Sequence, residues 1–193
     1  MSKNRIIIIS SVSGGGKTTL INRLLEKEKS IDLAVTATSR LPREGEVNGI
    51  HYHFYSPGKF QRMIDNGEFA EYAIVHANYY GVPMESLNGP LRENKSVMLN
   101  IDVQGMRTII EKSGKENVIT IFLLPPDRKV WEERLRKRGS NTEEDIGIRL
   151  KEGLREMDQS NLYDHVVVND DLEKAVDEVL AILRRENVLN RSS

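Results

Sequence analysis

The chain of 193 residues contains no cysteine. Disulfides and thiol chemistry are therefore excluded, and a reducing compartment is compatible with the composition. Charge of one sign is also missing. Lys and Arg number 28, Asp and Glu 29, and the formal net charge is -1, so the balance points to neither nucleic acid nor membrane as a partner. A long hydrophobic run is missing near the start, where Ile6 to Ile9 is too short for a signal-peptide core or a membrane span. The expected location is the cytoplasm. The four histidines, His51, His53, His76 and His165, lack the spacing of a metal site, and no Ser-His-Asp arrangement is found. There is no internal repeat and no low-complexity linker.

What remains is the composition of a soluble globular protein, 38% hydrophobic and 30% charged. The length suits one compact unit with inserted subdomains. Short unbroken apolar runs at 5–10, 96–101, 118–124 and 165–168 predict strands buried on both faces. Such runs favour a parallel sheet covered by helices. Leu33 to Val35 is a weaker strand candidate. Helices are predicted from Leu20 to Lys29 and from Val130 to Lys137, the latter ending at Gly139. Asn141-Thr142-Glu143-Glu144 reads as a cap opening a helix with Ile146, Leu150, Leu154 and Met157 on one face. A last helix carries Leu172, Ala175, Val176, Val179, Leu180 and Leu183, and 190–193 is expected to fray. Residues 36–90 are rich in Gly, Tyr, His and Pro and alternate at His51 to Tyr55, which predicts a small antiparallel or mixed β insertion.

The densest chemical signal lies between the first strand and the first helix, in Ser11-Val12-Ser13-Gly14-Gly15-Gly16-Lys17-Thr18-Thr19. Strand, glycine loop, Lys-Thr, helix is the layout of a phosphate-binding P-loop. Glycines let backbone N–H groups approach a polyphosphate, and the helix adds its N-terminal N–H groups and positive dipole end. Lys17 supplies a charge for the β- and γ-phosphates, and the Thr18 hydroxyl suits Mg²⁺. The ligand class is a nucleoside triphosphate. The match to G-x-x-x-x-G-K-S/T is incomplete, because Ser11 stands at the first glycine. An ordinary Gly-rich turn is the bland alternative.

A second phosphate signal follows in Thr36 to Glu46, where Arg40 and Arg43 sit three residues apart among hydroxyls. Arg presents a planar donor fork suited to phosphate. Tyr52 and Tyr80 are further candidate donors to the same phosphate, or half-buried sheet aromatics. Thr38-Ser39-Arg40-x-Pro42-Arg43-x-Gly45-Glu46-x-x-Gly49, followed by Tyr52-x-Phe54, resembles the nucleotide-binding segment of guanylate kinases. The likeness continues in order through Gly67-Glu68-Phe69-x-Glu71-Tyr72, Asn78-Tyr79-Tyr80-Gly81 and Ile101-Asp102-Val103-Gln104-Gly105. It extends to Arg134-Leu135-x-x-Arg138-Gly139, Glu143-Glu144-x-Ile146-x-x-Arg149-Leu150 and Tyr163-Asp164-x-Val166-Val167-x-Asn169. It covers about Arg5 to Leu183.

The resemblance implies an α/β protein with the three-layer α/β/α fold of P-loop nucleoside monophosphate kinases. A mostly parallel five-stranded core sheet (4–35, 91–126, 161–186) would carry a small β-rich GMP-binding region (36–90) and a helical lid (127–160). It implies transfer of the γ-phosphoryl group of MgATP to GMP, with dGMP as a further acceptor. ATP would be bound by the loop from Ser11 to Thr19, by Arg138 and by Asn169. GMP would be bound by Thr36, Arg40, Arg43, Tyr52, Glu71, Tyr80, Val82 and Asp102. Lys17, Arg40, Arg138 and Arg149 would act on the transferring group, and Thr18, with Asp102 through water, would hold Mg²⁺. Glu71 has a clear chemical task in this scheme. Guanine offers two adjacent donors, and an ionised carboxylate accepts two parallel bonds, which adenine cannot supply.

Two departures from the family pattern accompany Ser11. Asn100 stands where an acidic residue is usual, and Val82 where a hydroxyl residue is usual, so a donor to guanine O6 is lost. Two other readings stay open: a same-scaffold kinase for another acceptor such as a sugar phosphate, and an inactive protein-binding module. Retention of Glu71 argues against the first. Retention of Lys17, Thr18, Arg138 and Arg149 argues against the second.

Overall fold

A computed structural model describes residues 4–75, 77–137 and 143–189. Expectations placed on His76, Arg138, Gly139, Asn141, Thr142 and 190–193 lie outside the described residues. The elements run β1 (Ile6–Ser11), α1 (Lys17–Lys27), β2 (Ile31–Leu33), β3 (Ala37–Thr38), β4 (His53–Phe54), α2 (Pro57–Asp65), β5 (Phe69–Val75) and β6 (Asn78–Pro83). They continue with α3 (Met84–Arg92), β7 (Ser96–Asn100), α4 (Val103–Ser113), β8 (Val118–Leu124), α5 (Arg128–Arg136), α6 (Glu143–Met157), β9 (His165–Val168) and α7 (Leu172–Arg185).

Five strands form one sheet in the order β2-β7-β1-β8-β9, and every pairing is parallel. The four isoleucines of β1 explain its central place. Ile7 and Ile9 point into a core shared with Leu20 and Leu24 of α1 and Val176, Val179 and Leu183 of α7. Ile6 and Ile8 point the other way, to Met106 and Ile109 of α4 and Trp131 and Leu135 of α5. A strand covered on both faces must be apolar at every position, and each buried Ile contributes about 2 kcal/mol. Helices on both faces of this sheet make the three layers that the sequence predicts.

Parallel register also sets the site. Ile9 pairs with Asn100, so β1 and β7 end side by side. The Ser10 hydroxyl donates to the Ile101 carbonyl at 2.6 Å and ties the two exits together. Ligands of open α/β sheets bind at such strand ends.

Residues 36–90 hold a four-stranded mixed sheet, β4-β3-β6-β5, with β3 and β4 parallel and the other pairs antiparallel. Two helices, α2 and α3, lie in the same stretch. The start of α2 had a readable signal, because the Ser56 hydroxyl caps the Lys59 N–H and Pro57 opens the helix. The alternation at His51 to Tyr55 yields only the short β4, with Tyr52 bridging Asn48.

Two strand expectations are corrected. The second strand is Ile31–Leu33 rather than Leu33 to Val35, because β7 pairs with it from Ser96 to Met98. The run at 165–168 is buried on one face only. Val167 packs under α7, whereas Val166 and Val168 are exposed, since β9 is the sheet edge and alternates accordingly. No helix among the described residues is long and apolar enough to cross a membrane.

Candidate active site

The loop from Ser11 to Thr18 lines a recess of about 150 Å³ at the N-terminus of α1. The Gly15 N–H donates to the Val12 carbonyl at 3.0 Å, which closes the turn. Gly16 precedes the helix at φ 92 and lies so near Asn169 that a Cβ would come within 2.2 Å of its amide nitrogen. The Ser11 substitution now has a physical account. Its hydroxyl donates to the Val12 carbonyl at 3.1 Å, in space that a Cβ on Gly15 would occupy at 1.9 Å. A serine is accepted at the first position because position 15 has no side chain.

Beside this recess a wider cleft of about 380 Å³ is lined by Gly14, Gly16, Thr19, Arg134, Asn169, Asp170 and Leu172. The Asn169 amide donates to the Gly15 carbonyl at 2.9 Å, which fixes its orientation. Arg134 donates through Nη2 to the Asn169 carbonyl at 3.0 Å, while its Nη1 is buried without a partner. Sequence reasoning quoted Arg134 within a motif but gave it no part. An orphaned guanidinium N–H at the edge of a cleft marks a place for a ligand acceptor. Arg149, on α6, reaches the same loop, its Nη1 donating to the Ser13 hydroxyl at 3.2 Å.

On the other side of the β1 and β7 exits, a cleft of about 160 Å³ is lined by Thr36, Tyr52, Glu71, Ala73, Val75, Tyr80, Gly81, Asn100, Ile101 and Asp102. Arg40 stands at its edge. Its guanidinium makes two bonds to Glu46, both 2.6 Å, and lies over the Tyr52 ring at 5.1 Å. Tyr52 meets Tyr80 edge-on, with centroids 6.3 Å apart. The Arg40 bonds hold the Glu46 carboxyl down at about 2. Glu46 also accepts from the backbone N–H of Arg43 at 2.7 Å, so one carboxylate fixes both arginine positions. The Arg43 side chain is exposed.

Glu71 is only 8% exposed. Burial first, and then the negative charge of Asp102, push its carboxyl up to about 7, against the pull of Lys112. Asp102 caps α4, its Oδ1 accepting from the N–H groups of Gln104 and Gly105 at 3.0 and 2.9 Å; Oδ2 takes no part in that cap. Val82 pairs directly with Glu71, but it is fully buried within the apolar cluster and does not line the cleft. Asn100 does line it.

A further cavity of about 150 Å³ lies between Asp102, Ser10, Ser11, Gln104, Gln159, Tyr163 and Glu156. Glu156, on α6, is a second residue that the motifs did not single out. Burial raises its carboxyl above the usual range, Lys17 opposes that, and Asp102 and Glu152 add to it. The last turn of α6 therefore brings negative charge toward the loop lysine. Among the described residues no group of three or more His, Cys, Asp or Glu side chains could hold a metal ion.

The structure thus brings together two clefts that meet where β1 and β7 end. Ser11 to Thr19, Asn169 and Arg149 lie on one side, and Thr36, Arg40, Tyr52, Tyr80 and Glu71 on the other. Asp102 lies between them. Comparison with known proteins gives the same family as the motifs. The family model described as "Guanylate kinase" matches residues 3–186. A guanylate kinase of Rickettsia prowazekii (strain Madrid E) is 40% identical over 189 residues, covering 98% of this chain and 95% of the relative. One of Neisseria gonorrhoeae (strain ATCC 700825 / FA 1090) is 45% identical over 181 residues, covering 94% and 87%. The crystal structure of guanylate kinase from Anaplasma phagocytophilum superposes with a TM-score of 0.79 at 35% identity, covering 98% of this chain and 89% of that one. On fold, motif order and these likenesses together, the chain belongs to the guanylate kinase family.

Proposed function

We propose that the chain transfers the γ-phosphoryl group of ATP to GMP, giving ADP and GDP. The observation that carries this reading is the pairing of an anion recess at a helix N-terminus with a separate cleft holding one buried carboxylate, the two meeting at the ends of β1 and β7. The recess receives the triphosphate on backbone N–H groups, with Lys17 and Arg149 as cations and Asn169 and Arg134 toward the base. In the second cleft, Glu71 accepts from N1–H and the 2-amino group of guanine. Arg40, Arg43, Tyr52, Tyr80 and Thr36 receive the acceptor phosphate.

The reaction needs alignment and charge neutralisation more than proton transfer. The phosphate of GMP is largely dianionic at neutral pH, since its second pKa is about 6. One of its oxygens attacks the γ-phosphorus, a new P–O bond forms, and the bond to the bridging β-phosphate oxygen breaks with ADP as leaving group. Lys17 and Arg149 face the charge that develops on the transferred group, and Arg138 is assigned the same task. Residues 36–90 and 127–160 are taken as the parts that close on the two nucleotides and exclude water.

Mg²⁺ fits the donor set. The Thr18 hydroxyl and the Asp102 carboxylate are oxygen donors of the kind it takes, and Asp102 keeps Oδ2 outside its helix cap. Held there by the Thr18 hydroxyl and, through water, by Asp102, the ion would supply positive charge to neutralise the triphosphate.

The test is ADP release from MgATP with GMP, dGMP, AMP, CMP and UMP in parallel. GMP and dGMP are expected to support turnover and the others to give little. Folded protein that produces no GMP-dependent ADP overturns the reading, and turnover with a sugar phosphate in place of GMP replaces it.

A further inference from the structure

We propose that Ser13 is a positioning residue for Arg149: its hydroxyl seats the guanidinium beside the phosphate loop before a nucleotide arrives. The proposal rests on the ATP:GMP reading and deepens it.

Ser13 is held from two sides by groups more than a hundred residues away in the chain. Its carbonyl accepts from the indole N–H of Trp131 at 2.7 Å, and its hydroxyl accepts from Arg149 Nη1 at 3.2 Å. The first donor comes from α5 and the second from α6. Arg149 and Gly153 are four residues apart on α6 and so share a face. Gly153 meets the Trp131 ring so closely that a Cβ there would come within 2.4 Å of it. Trp131 is 1% exposed and cannot turn away. The indole therefore fixes α6 against the loop at Gly153, and one turn earlier the same helix presents Arg149 to the Ser13 hydroxyl.

The chemistry suits the task. A free arginine side chain samples many rotamers, and ordering one costs conformational entropy. One hydrogen bond to Ser13 orders Arg149 in advance and leaves its other N–H groups for phosphate oxygens. The seat acts through Arg149, on the transferring group, and it should be read in kcat more than in substrate affinity.

The experiment is a double-mutant cycle of Ser13→Ala, Arg149→Ala and the pair, with MgATP and GMP. Ser13→Ala is expected to lower kcat about tenfold, the scale of one charge-assisted bond, with KM for GMP unchanged. With alanine already at 149, Ser13→Ala should cost nothing further. ADP affinity, followed by the fluorescence of the single tryptophan, should change little, because the backbone cradle is intact. The same cycle on thermal unfolding reads the pair without turnover and should also be non-additive. Equal losses of kcat from Ser13→Ala in both backgrounds overturn the proposal, as does a rise in KM for ATP with kcat unchanged, or additive melting. A wild-type protein without GMP-dependent turnover would instead overturn the proposed function, and the melting cycle would still decide the seat.

Discussion

The carboxylate of Glu46 grips the guanidinium of Arg40 through two hydrogen bonds of 2.6 Å, while the Arg40 head lies over the rings of Tyr52 and Phe54 at 5.1 and 5.6 Å. A cation held edge-on by a carboxylate and face-on by aromatic rings has little freedom left. Arg40 is thus held in one orientation at the edge of the cleft, as the phosphate-binding role proposed for it requires.

Replacing Glu46 by Gln should therefore raise KM for GMP about tenfold, since Arg40 and the Arg43 backbone both lose a charged acceptor. The effect on KM for ATP should be small. Steady-state kinetics with each substrate varied checks this, and an unchanged KM for GMP would remove the role. The pairing holds Glu46 down at about 2, below its ordinary value. Its stabilising contribution is therefore present above the ordinary carboxylate range and is lost only as pH falls toward 2, so Glu46 adds no pH dependence near neutrality.

Glu71 behaves in the opposite sense. The folded chain holds its carboxyl at about 7, against an ordinary 4.5. Guanine needs the ionised form, so KM for GMP should rise as pH falls from 8 to 6, approaching about tenfold per unit below the pKa. The phosphate of GMP also gains a proton near pH 6; the residual slope in Glu71→Gln isolates that part. Between 4.5 and 7 the folded state carries more protons than the unfolded one, so this group's contribution to stability falls as pH rises through that window and is level above it. Glu71→Gln should then melt no lower than wild type at pH 8, and as much as about 3 kcal/mol more stably, while losing preference for GMP. A destabilised Gln variant at pH 8 would contradict the burial cost assigned to Glu71.

Val82 stands directly opposite Glu71 in the β5–β6 pairing and is fully buried. Val82→Thr places a hydroxyl next to the guanine-reading carboxylate at nearly the same volume. Because position 82 does not line the cleft, KM for GMP is expected to change little, while the melting temperature falls, because the added hydroxyl is desolvated in the apolar cluster. Kinetics and a melting curve on the same preparation check both. A clear fall in KM for GMP would show that position 82 reaches guanine and overturn that placement.

Gly153→Ala tests the packing of α6 on Trp131. A methyl would come within 2.4 Å of the ring, so overpacking should cost roughly 1–3 kcal/mol. The buried indole should also become more exposed, which a red shift of tryptophan emission would report. A variant with wild-type stability and emission would show that α6 is not fixed there.

Much of this was legible before any coordinates. The isoleucines of β1 and the loop that follows them carry their own explanation, because strand burial and anion cradling are local properties of composition and spacing. Motif order pointed to Glu71, Arg40 and Asp102, and the structure brings them to one cleft or its edge. The run at 165–168 misled, since edge and centre strands differ in their neighbours and not in their own residues. Arg134 escaped notice for a related reason: a charged residue on a helix reads as a solvated face until the neighbours that half-bury it are known. Glu156 stays exposed and stands out only by its place beside Asp102.

The amino-acid sequence by itself determined the family, the sheet's apolar strands, the glycine loop at the head of the first helix and which residues are candidates for each cleft. Only the tertiary structure decided how those residues are held: Glu46 on Arg40, Trp131 and Arg149 on Ser13, Val82 beneath the cleft and Glu71 away from water. The reason is physical. Hydrogen-bond geometry and desolvation arise between groups brought together by folding, here from as far apart as Gly15 and Asn169, and one-dimensional spacing holds no record of those distances.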